Sequence, residues 1–254
     1  SGKKEEKTAC GEARVDICDS NAGLNTRDVC ALLSYQEGGL VGLGRPLHPS
    51  LFERAPRPSL FRAPSDNDLS NKNAQNQAVF QMFSLLSKAR LISAQDENGA
   101  LVVRYRYGLE TVTELTMDIV YRVTPDGAVH VEASSEGVRG LPPLPAFGLS
   151  LCLKNDLTDI RYYGLGPEEN YPDRREGAWL GDFCTTVQKN LTPYLLPQFC
   201  GNRGGVRRMT LTNQSGQGIA VEAEDAPLEI SVLPCSQQAL ADAWHQDELA
   251  PGSY

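Results

Sequence analysis

Between Thr113 and Val123 the sequence alternates: Leu115, Met117, Ile119, Tyr121 and Val123 are apolar, while Glu114, Thr116, Asp118 and Arg122 between them are polar. Successive side chains of a β-strand point to opposite faces, so an extended segment buries one set and wets the other, which a 3.6-residue helix cannot do with this spacing. Pro125-Asp126-Gly127 then supplies a turn, since Pro presets φ and Gly accepts a positive φ. Ala128–Ala133 resumes the alternation, with Val129, Val131 and Ala133 expected on the buried face. Upstream, Ala89–Ala94 and Leu101–Tyr107 flank Asp96-Glu97-Asn98-Gly99, a hairpin connection.

Further strands are predicted at Phe147–Leu153, Asp159–Tyr163, Arg208–Asn213, Ile219–Ala223 and Leu228–Val232, with an N-terminal meander over Ala13–Cys18 and Leu32–Leu43. Helices are scarce. Asn76–Lys88 is the best candidate, and Ser236–Ala243 would form a second with Ser236 as its N-cap. Many short strands without a repeat of fixed length predict an all-β fold: an antiparallel sandwich with one or two short helices.

Composition narrows the function classes. No apolar run approaches the roughly 20 residues of a membrane span. Asp and Glu number 32 against 24 Lys and Arg, a net charge of -8, which argues against a polyphosphate partner such as nucleic acid. Residues 1–12 open on a charged stretch, Lys3-Lys4-Glu5-Glu6-Lys7, with no apolar core, and read as a linker or an expression scar rather than a leader. The 7 cysteines are scattered without a CxxC pair, so a zinc site and a disulfide framework are not expected. Reduced, mostly buried thiols in a cytoplasmic protein are the expectation.

Three segments stand out. Arg62-Ala63-Pro64-Ser65-Asp66-Asn67-Asp68 precedes Leu69-Ser70-Asn71. Asp66 and Asp68, two apart, would lie on one side of an extended chain about 7 Å apart and could act as acid and base. The plainer alternative is that Asp66 and Asn67 cap a turn or a following helix, with Arg62 balancing the charge. Gly164-Leu165-Gly166-Pro167-Glu168-Glu169-Asn170-Tyr171-Pro172-Asp173-Arg174 has the glycines of a phosphate loop, but Pro167 removes a backbone donor and no Lys-Ser/Thr follows. Tyr194–Arg203 reads as a surface turn with Gly201 at positive φ. The three histidines, His48, His130 and His245, stand singly and read as structural. No GxSxG elbow is present.

Taken in order, Arg-Ala-Pro-x-Asp-Asn-Asp at Arg62–Asp68, Gly-x-Gly-Pro-x-Glu-x-Tyr-x-Asp-Arg at Gly164–Arg174 and Tyr-x-x-Pro-Gln…Gly-x-Arg at Tyr194–Arg203 resemble the C-terminal, small-chain domain of bacterial β-galactosidases of glycoside hydrolase family 2. A weaker Ala-x-His-x-x-Glu-Leu match at Ala243–Leu249 follows. The resemblance runs from Ala13 onward. It implies a β-supersandwich of the galactose-mutarotase-like type over residues 13–254, shortened at its C-terminal end.

The resemblance also implies a division of labour. Retaining hydrolysis needs two carboxyl groups about 5–5.5 Å apart. In the family both lie on a TIM barrel elsewhere in the polypeptide, so the implied role here is non-catalytic, with no catalytic residue and no metal ligand in this chain. The family's Mg²⁺ and Na⁺ bind elsewhere. The implied partners are the barrel of the same enzyme, a terminal β-galactoside such as lactose, and further copies in a homo-oligomer. A substrate-proximal loop would comprise Asp66, Asn67, Asp68, Ser70 and Asn71, continuing to Gln75. Arg62, Glu169, Tyr171, Asp173 and Arg174, together with Glu168, would form a supporting motif through charge-assisted hydrogen bonds.

Three departures from the family pattern stand in this sequence. Ser70 occupies a position that can be glycine, the family's substrate-stacking tryptophan has no match in Trp244, and Phe199-Cys200 replaces a common Glu-Asn. Two alternatives share the fold: a stand-alone aldose epimerase, for which His130 and Glu132 would have to act as acid and base, and a carbohydrate-binding module.

Overall fold

Asn98 and Gly99 both have positive φ, 56° and 85°, the requirement of a two-residue turn whose twist matches its flanking strands. They join β6 (Lys88–Glu97) to β7 (Ala100–Gly108), and Asp96 Oδ1 accepts the Gly99 N–H at 2.8 Å. This is a computed structural model, and it describes residues 13–70 and 76–249. Those residues form two compact units, one of 13–60, 82–143 and 147–152, the other of 61–70, 76–81, 144–146 and 153–249.

The first unit contains the sheet β1 (Arg14–Ile17), β2 (Asn21–Asn25), β3 (Cys30–Ser34) and β4 (Gly39–Gly44), in that order. A second sheet runs β6-β7-β8-β9, with β8 at Thr116–Val123 and β9 at Val129–Ser134. The strand pairings within both sheets are antiparallel. The alternation expected of β8 is realised: Leu115, Met117, Ile119, Tyr121 and Val123 are all buried. Their neighbours on β7, Leu101, Val103, Tyr105 and Tyr107, share the same core. Tyr105 donates to the Ser34 carbonyl at 3.0 Å and Tyr107 to the Gly38 carbonyl at 2.8 Å, pinning this sheet to the end of β3. Val131 departs from expectation and is 43% exposed. It lies on β9, the last strand of its sheet, and pairs only with Tyr121 of β8, so solvent reaches its other side. β5 (Phe52–Ser59) and β10 (Gly148–Leu153) form a separate two-stranded ladder.

The second unit is built on the sheet β12-β11-β14-β15: Trp179–Thr186, Asp159–Gly166, Arg208–Thr212 and Gly218–Glu222. Beside it, β13 (Asn202–Val206) pairs with β16 (Leu228–Ser231). Leu157, Ile160, Tyr162, Val206, Met209 and Leu211 make its main core. β11 runs three residues beyond the predicted Tyr163 because Gly166 lets the chain pass under Phe183; a Cβ there would come within 2.7 Å of that ring. A smaller core of Ala63, Cys200, Cys235 and Leu240 underlies the helix Gln237–Asp242. Its N-cap is Ser236, as expected, whose Oγ accepts the Ala239 N–H at 3.1 Å.

The architecture is all-β and antiparallel, with three short helices among the described residues: Asp66–Ser70, Ala78–Leu86 and Gln237–Asp242. Among those residues no helix is long and apolar enough to cross a membrane. The thiols are free at six described positions, but the expectation that most are buried fails. Only Cys200 and Cys235 are buried; Cys18 and Cys184, on strand ends and edges, are exposed. Burial pushes the Cys200 thiol up to about 11, so it is a packing group rather than a nucleophile. Cys10 lies outside the described residues.

Candidate functional site

The four sequence motifs meet in the second unit. Arg62–Ser65 leads into a single helical turn, Asp66–Ser70. Ser65 caps that turn, in a reciprocal arrangement with Asp68: Ser65 N–H donates to Asp68 Oδ2 at 2.9 Å and Asp68 N–H to Ser65 Oγ at 3.4 Å. Capping by Asp66 and Asn67 is therefore overturned, and so is the facing carboxylate pair. Residues i and i+2 of a helical turn do not face each other. Asp66 and Asn67 are exposed, whereas Asp68 is buried.

Asp68 Oδ2 also accepts from Arg62 Nη1 at 2.7 Å and from the Ser65 hydroxyl at 2.8 Å. Burial pushes this carboxyl up, but the Arg62 guanidinium and the two Ser65 donors outweigh it and hold it below the usual carboxylate range. Ser70 donates its hydroxyl back to the Asp66 carbonyl at 2.8 Å. Asn71 and the rest of the predicted loop to Gln75 lie outside the described residues.

The second motif follows β11. Tyr171 and Arg174 exchange backbone hydrogen bonds across a tight turn, which folds Arg174 back over the Tyr171 ring at 5.0 Å and onto Glu169 Oε1 at 2.8 Å. Tyr194 donates to the same oxygen. Glu169 Oε2 accepts from Thr192 at 2.8 Å, the Gly201 N–H at 2.8 Å and Tyr171 at 3.1 Å. Five donors fill both oxygens of one carboxylate, leaving it no free lone pair. Its pKa follows: burial raises it, but the bonds from Tyr194, Gly201, Thr192 and Tyr171 outweigh burial and hold it low. Burial and the neighbouring Glu169 charge push the Tyr171 phenol up. Glu168 and Asp173 are exposed, and among the described residues no side-chain hydrogen bond joins either to Glu169, Tyr171 or Arg174.

Sequence reasoning did not single out Thr192 and Asn170, and both matter. Asn170 is buried; its Nδ2 donates to the Leu165 and Glu168 carbonyls, and its Oδ1 accepts the Gly204 N–H at 2.9 Å. It thereby ties the motif to β13. An asparagine in a run of turn residues carries no separate sequence signal.

The third motif supplies Gln198 and Phe199. The Gln198 amide brackets Asp66, accepting its N–H and donating to its carboxylate, both at 3.2 Å. The Phe199 ring takes the Arg62 guanidinium at 5.5 Å and meets Tyr171 edge-on at 5.6 Å. A continuous column results: Asp68, Arg62, Phe199, Tyr171, Arg174, Glu169, with an ion pair at each end and two aromatic rings between the two cations. Gly201 takes φ +68°, as expected, where a Cβ would lie 2.5 Å from the Asn190 carbonyl. The fourth motif also reaches the cluster, since Gln246 Nε2 donates to the Tyr194 carbonyl at 2.7 Å.

The two carboxylates at the ends of this column are poor proton carriers. Asp68, which is buried, and Glu169, which is half-buried, are held ionised by donors within this chain, whereas a glycosidase acid needs its pKa raised. The void between Tyr162, Asn190 and Arg203 measures about 10 Å³, room for a water and not for a hexose.

The class these features define is an antiparallel β domain whose separate motifs lock into one hydrogen-bonded cluster. The family model described as β-galactosidase small chain matches residues 25–254, and the chain belongs to that family. It is 33% identical over 249 residues to a β-galactosidase of Halalkalibacterium halodurans, covering 97% of this chain and 24% of that protein. To a β-galactosidase of Streptococcus thermophilus it is 32% identical, covering 91% of this chain and 22% of that protein. A β-galactosidase small subunit of Latilactobacillus sakei is 30% identical, over 91% of this chain and 81% of that subunit. The chain thus spans about a quarter of the length of the first two relatives.

Proposed function

We propose that this chain is the non-catalytic small-chain part of a cytoplasmic β-galactosidase that hydrolyses terminal β-D-galactosides such as lactose. It packs on the enzyme's catalytic barrel and lends the Asp66–Ser70 turn, with Asn71, to the edge of the sugar pocket. The parent is a homo-oligomer, binds neither nucleic acid nor membrane, and holds its Mg²⁺ and Na⁺ outside this chain.

The observation that carries this reading is the state of two carboxylates, Asp68 and Glu169. Five donors of its own unit fill both oxygens of Glu169, and three converge on Asp68 Oδ2. Both carboxyls are depressed in pKa, the opposite of what protonating a leaving oxygen needs, and Glu169 has no free oxygen to attack an anomeric carbon. The likeness to a separate small subunit and to one quarter of longer β-galactosidases supports the division into two parts. Epimerase chemistry finds less support, because His130 and Glu132 both sit exposed on the edge strand β9, without the burial a paired acid and base would use. A chromogenic galactoside separates these outcomes. The purified chain alone is expected to give no turnover, and adding the catalytic portion to restore it; turnover by the chain alone would overturn the proposal.

A further inference from the structure

We infer that Phe199 is a positioning residue for the Asp66–Ser70 turn, and so for galactoside binding; the second step rests on the function proposed above. The turn is one helical loop of five residues, too short to persist by its own hydrogen bonds. Apolar burial does not anchor it either, because Leu69 is 48% exposed. What fixes it is Asp68, its one buried residue; the Ser65 cap holds Asp68 within the turn, and Arg62, at 2.7 Å, is the charged partner that ties it to what lies outside. The Gln198 bonds to Asp66 are long and exposed, so water competes for them.

Arg62 in turn is placed by the Phe199 ring at 5.5 Å, and that ring is braced by Tyr171 at 5.6 Å. Tyr171 belongs to the Glu169 cluster through its hydroxyl and through Arg174 stacked on it. Phe199 is therefore the link through which a rigid, saturated cluster reaches a turn that cannot hold itself. Its contribution depends on an aromatic face, because the attraction of a guanidinium to a ring comes from the ring quadrupole. A branched aliphatic side chain of similar volume fills the space and lacks that attraction.

The test uses the complete β-galactosidase carrying this chain. Phe199→Leu is expected to raise KM for a galactoside about fivefold, which is ~1 kcal/mol at 1.4 kcal/mol per decade, with kcat within about twofold. Phe199→Tyr, which keeps the ring, is expected to hold KM within about twofold of the parent. A Leu variant with unchanged KM overturns the inference, as does a Tyr variant as impaired as Leu. In the isolated chain, amide exchange at Leu69, whose N–H bonds the Ser65 carbonyl, is expected to quicken in Phe199→Leu while the β7–β8 ladder stays protected. If the Leu variant does not fold, the same measurement on Phe199→Ile decides the matter, and unaltered Leu69 exchange counts against the inference. Deleting the chain separates the two readings. A KM indifferent to the deletion overturns the proposed function, whereas a KM that needs the chain but not the ring at 199 overturns only the positioning role.

Discussion

Tyr107 and Tyr121 are buried in the same core of the first unit, yet their hydroxyls fare differently. Tyr107 donates to the Gly38 carbonyl at 2.8 Å, whereas Tyr121 OH meets no hydrogen-bond partner among the described residues. Burial pushes the Tyr107 phenol up to about 12 and the Tyr121 phenol higher still, so both are neutral at any physiological pH. A buried polar atom without a partner keeps its desolvation cost, and deleting it is neutral or stabilising. Tyr121→Phe is therefore expected to leave the urea midpoint unchanged or raise stability by about 1 kcal/mol, while Tyr107→Phe is expected to lose about 1 kcal/mol. A loss for Tyr121→Phe as large as that for Tyr107→Phe would contradict the assignment of partners.

At the scale of elements, the helix Gln237–Asp242 has only six residues and depends on its ends. Ser236 caps it, and Gln237 Oε1 accepts the Ala63 N–H at 2.9 Å, joining it to the start of the first motif. Ser236→Ala is expected to cost about 1 kcal/mol and to speed exchange of the Ala239 amide; an unaltered amide would show the cap to be idle. This helix, like β8, was legible because its signal is local: a cap residue in one case, alternation in the other. β5, β12 and β13 were not. β5 carries Pro56 and Pro58 and pairs within a ladder of only two strands, where the missing N–H groups are tolerated. β12 holds its place by full register with β11, from Asp159↔Thr186 to Gly166↔Trp179, although glycine and polar residues interrupt its pattern. β13, Asn-Arg-Gly-Gly-Val, is nearly all buried through partners far away in sequence, and no window of that sequence displays them.

At the scale of the whole molecule, the motifs were readable as separate strings, but not the column they build. Arg62, Asp68, Glu169, Tyr171 and Arg174 could be named from the sequence. That Ser65 rather than Asp66 would cap, that Asp173 would stay outside, and that Phe199 would stand between two cations required the fold. The acid response of the molecule follows from the same cluster. Asp68 and Glu169 have folded-state pKa values below those of the unfolded chain, which are about 4. Their contribution to stability is complete at neutral pH, begins to fail as pH falls past about 4, and is gone below the depressed folded values. Glu169→Gln places an amide among five donors and is expected to cost about 3 kcal/mol at pH 7, measured by urea unfolding. Its deficit relative to the parent should narrow as pH falls below about 4; a deficit constant with pH would mean that the charge is not what the cluster holds.

The contacts of this cluster span long stretches of sequence: Phe199 meets the Arg62 guanidinium, and just before it Gln198 reaches Asp66 132 residues upstream, while Gln237 accepts from Ala63 174 residues upstream. During synthesis the Arg62–Ser70 segment therefore emerges with none of these later partners yet made. At about 5–20 residues per second it waits on the order of ten seconds for Gln198 to be translated, and longer for Gln237. Meanwhile 82–143, all of it belonging to the other unit, is translated and can begin to pair. A message cut short before Tyr194 would yield a product whose first motif never finds its grip, so ribosomal stalling in that interval should mark the nascent chain for proteolysis at Arg62–Ser70.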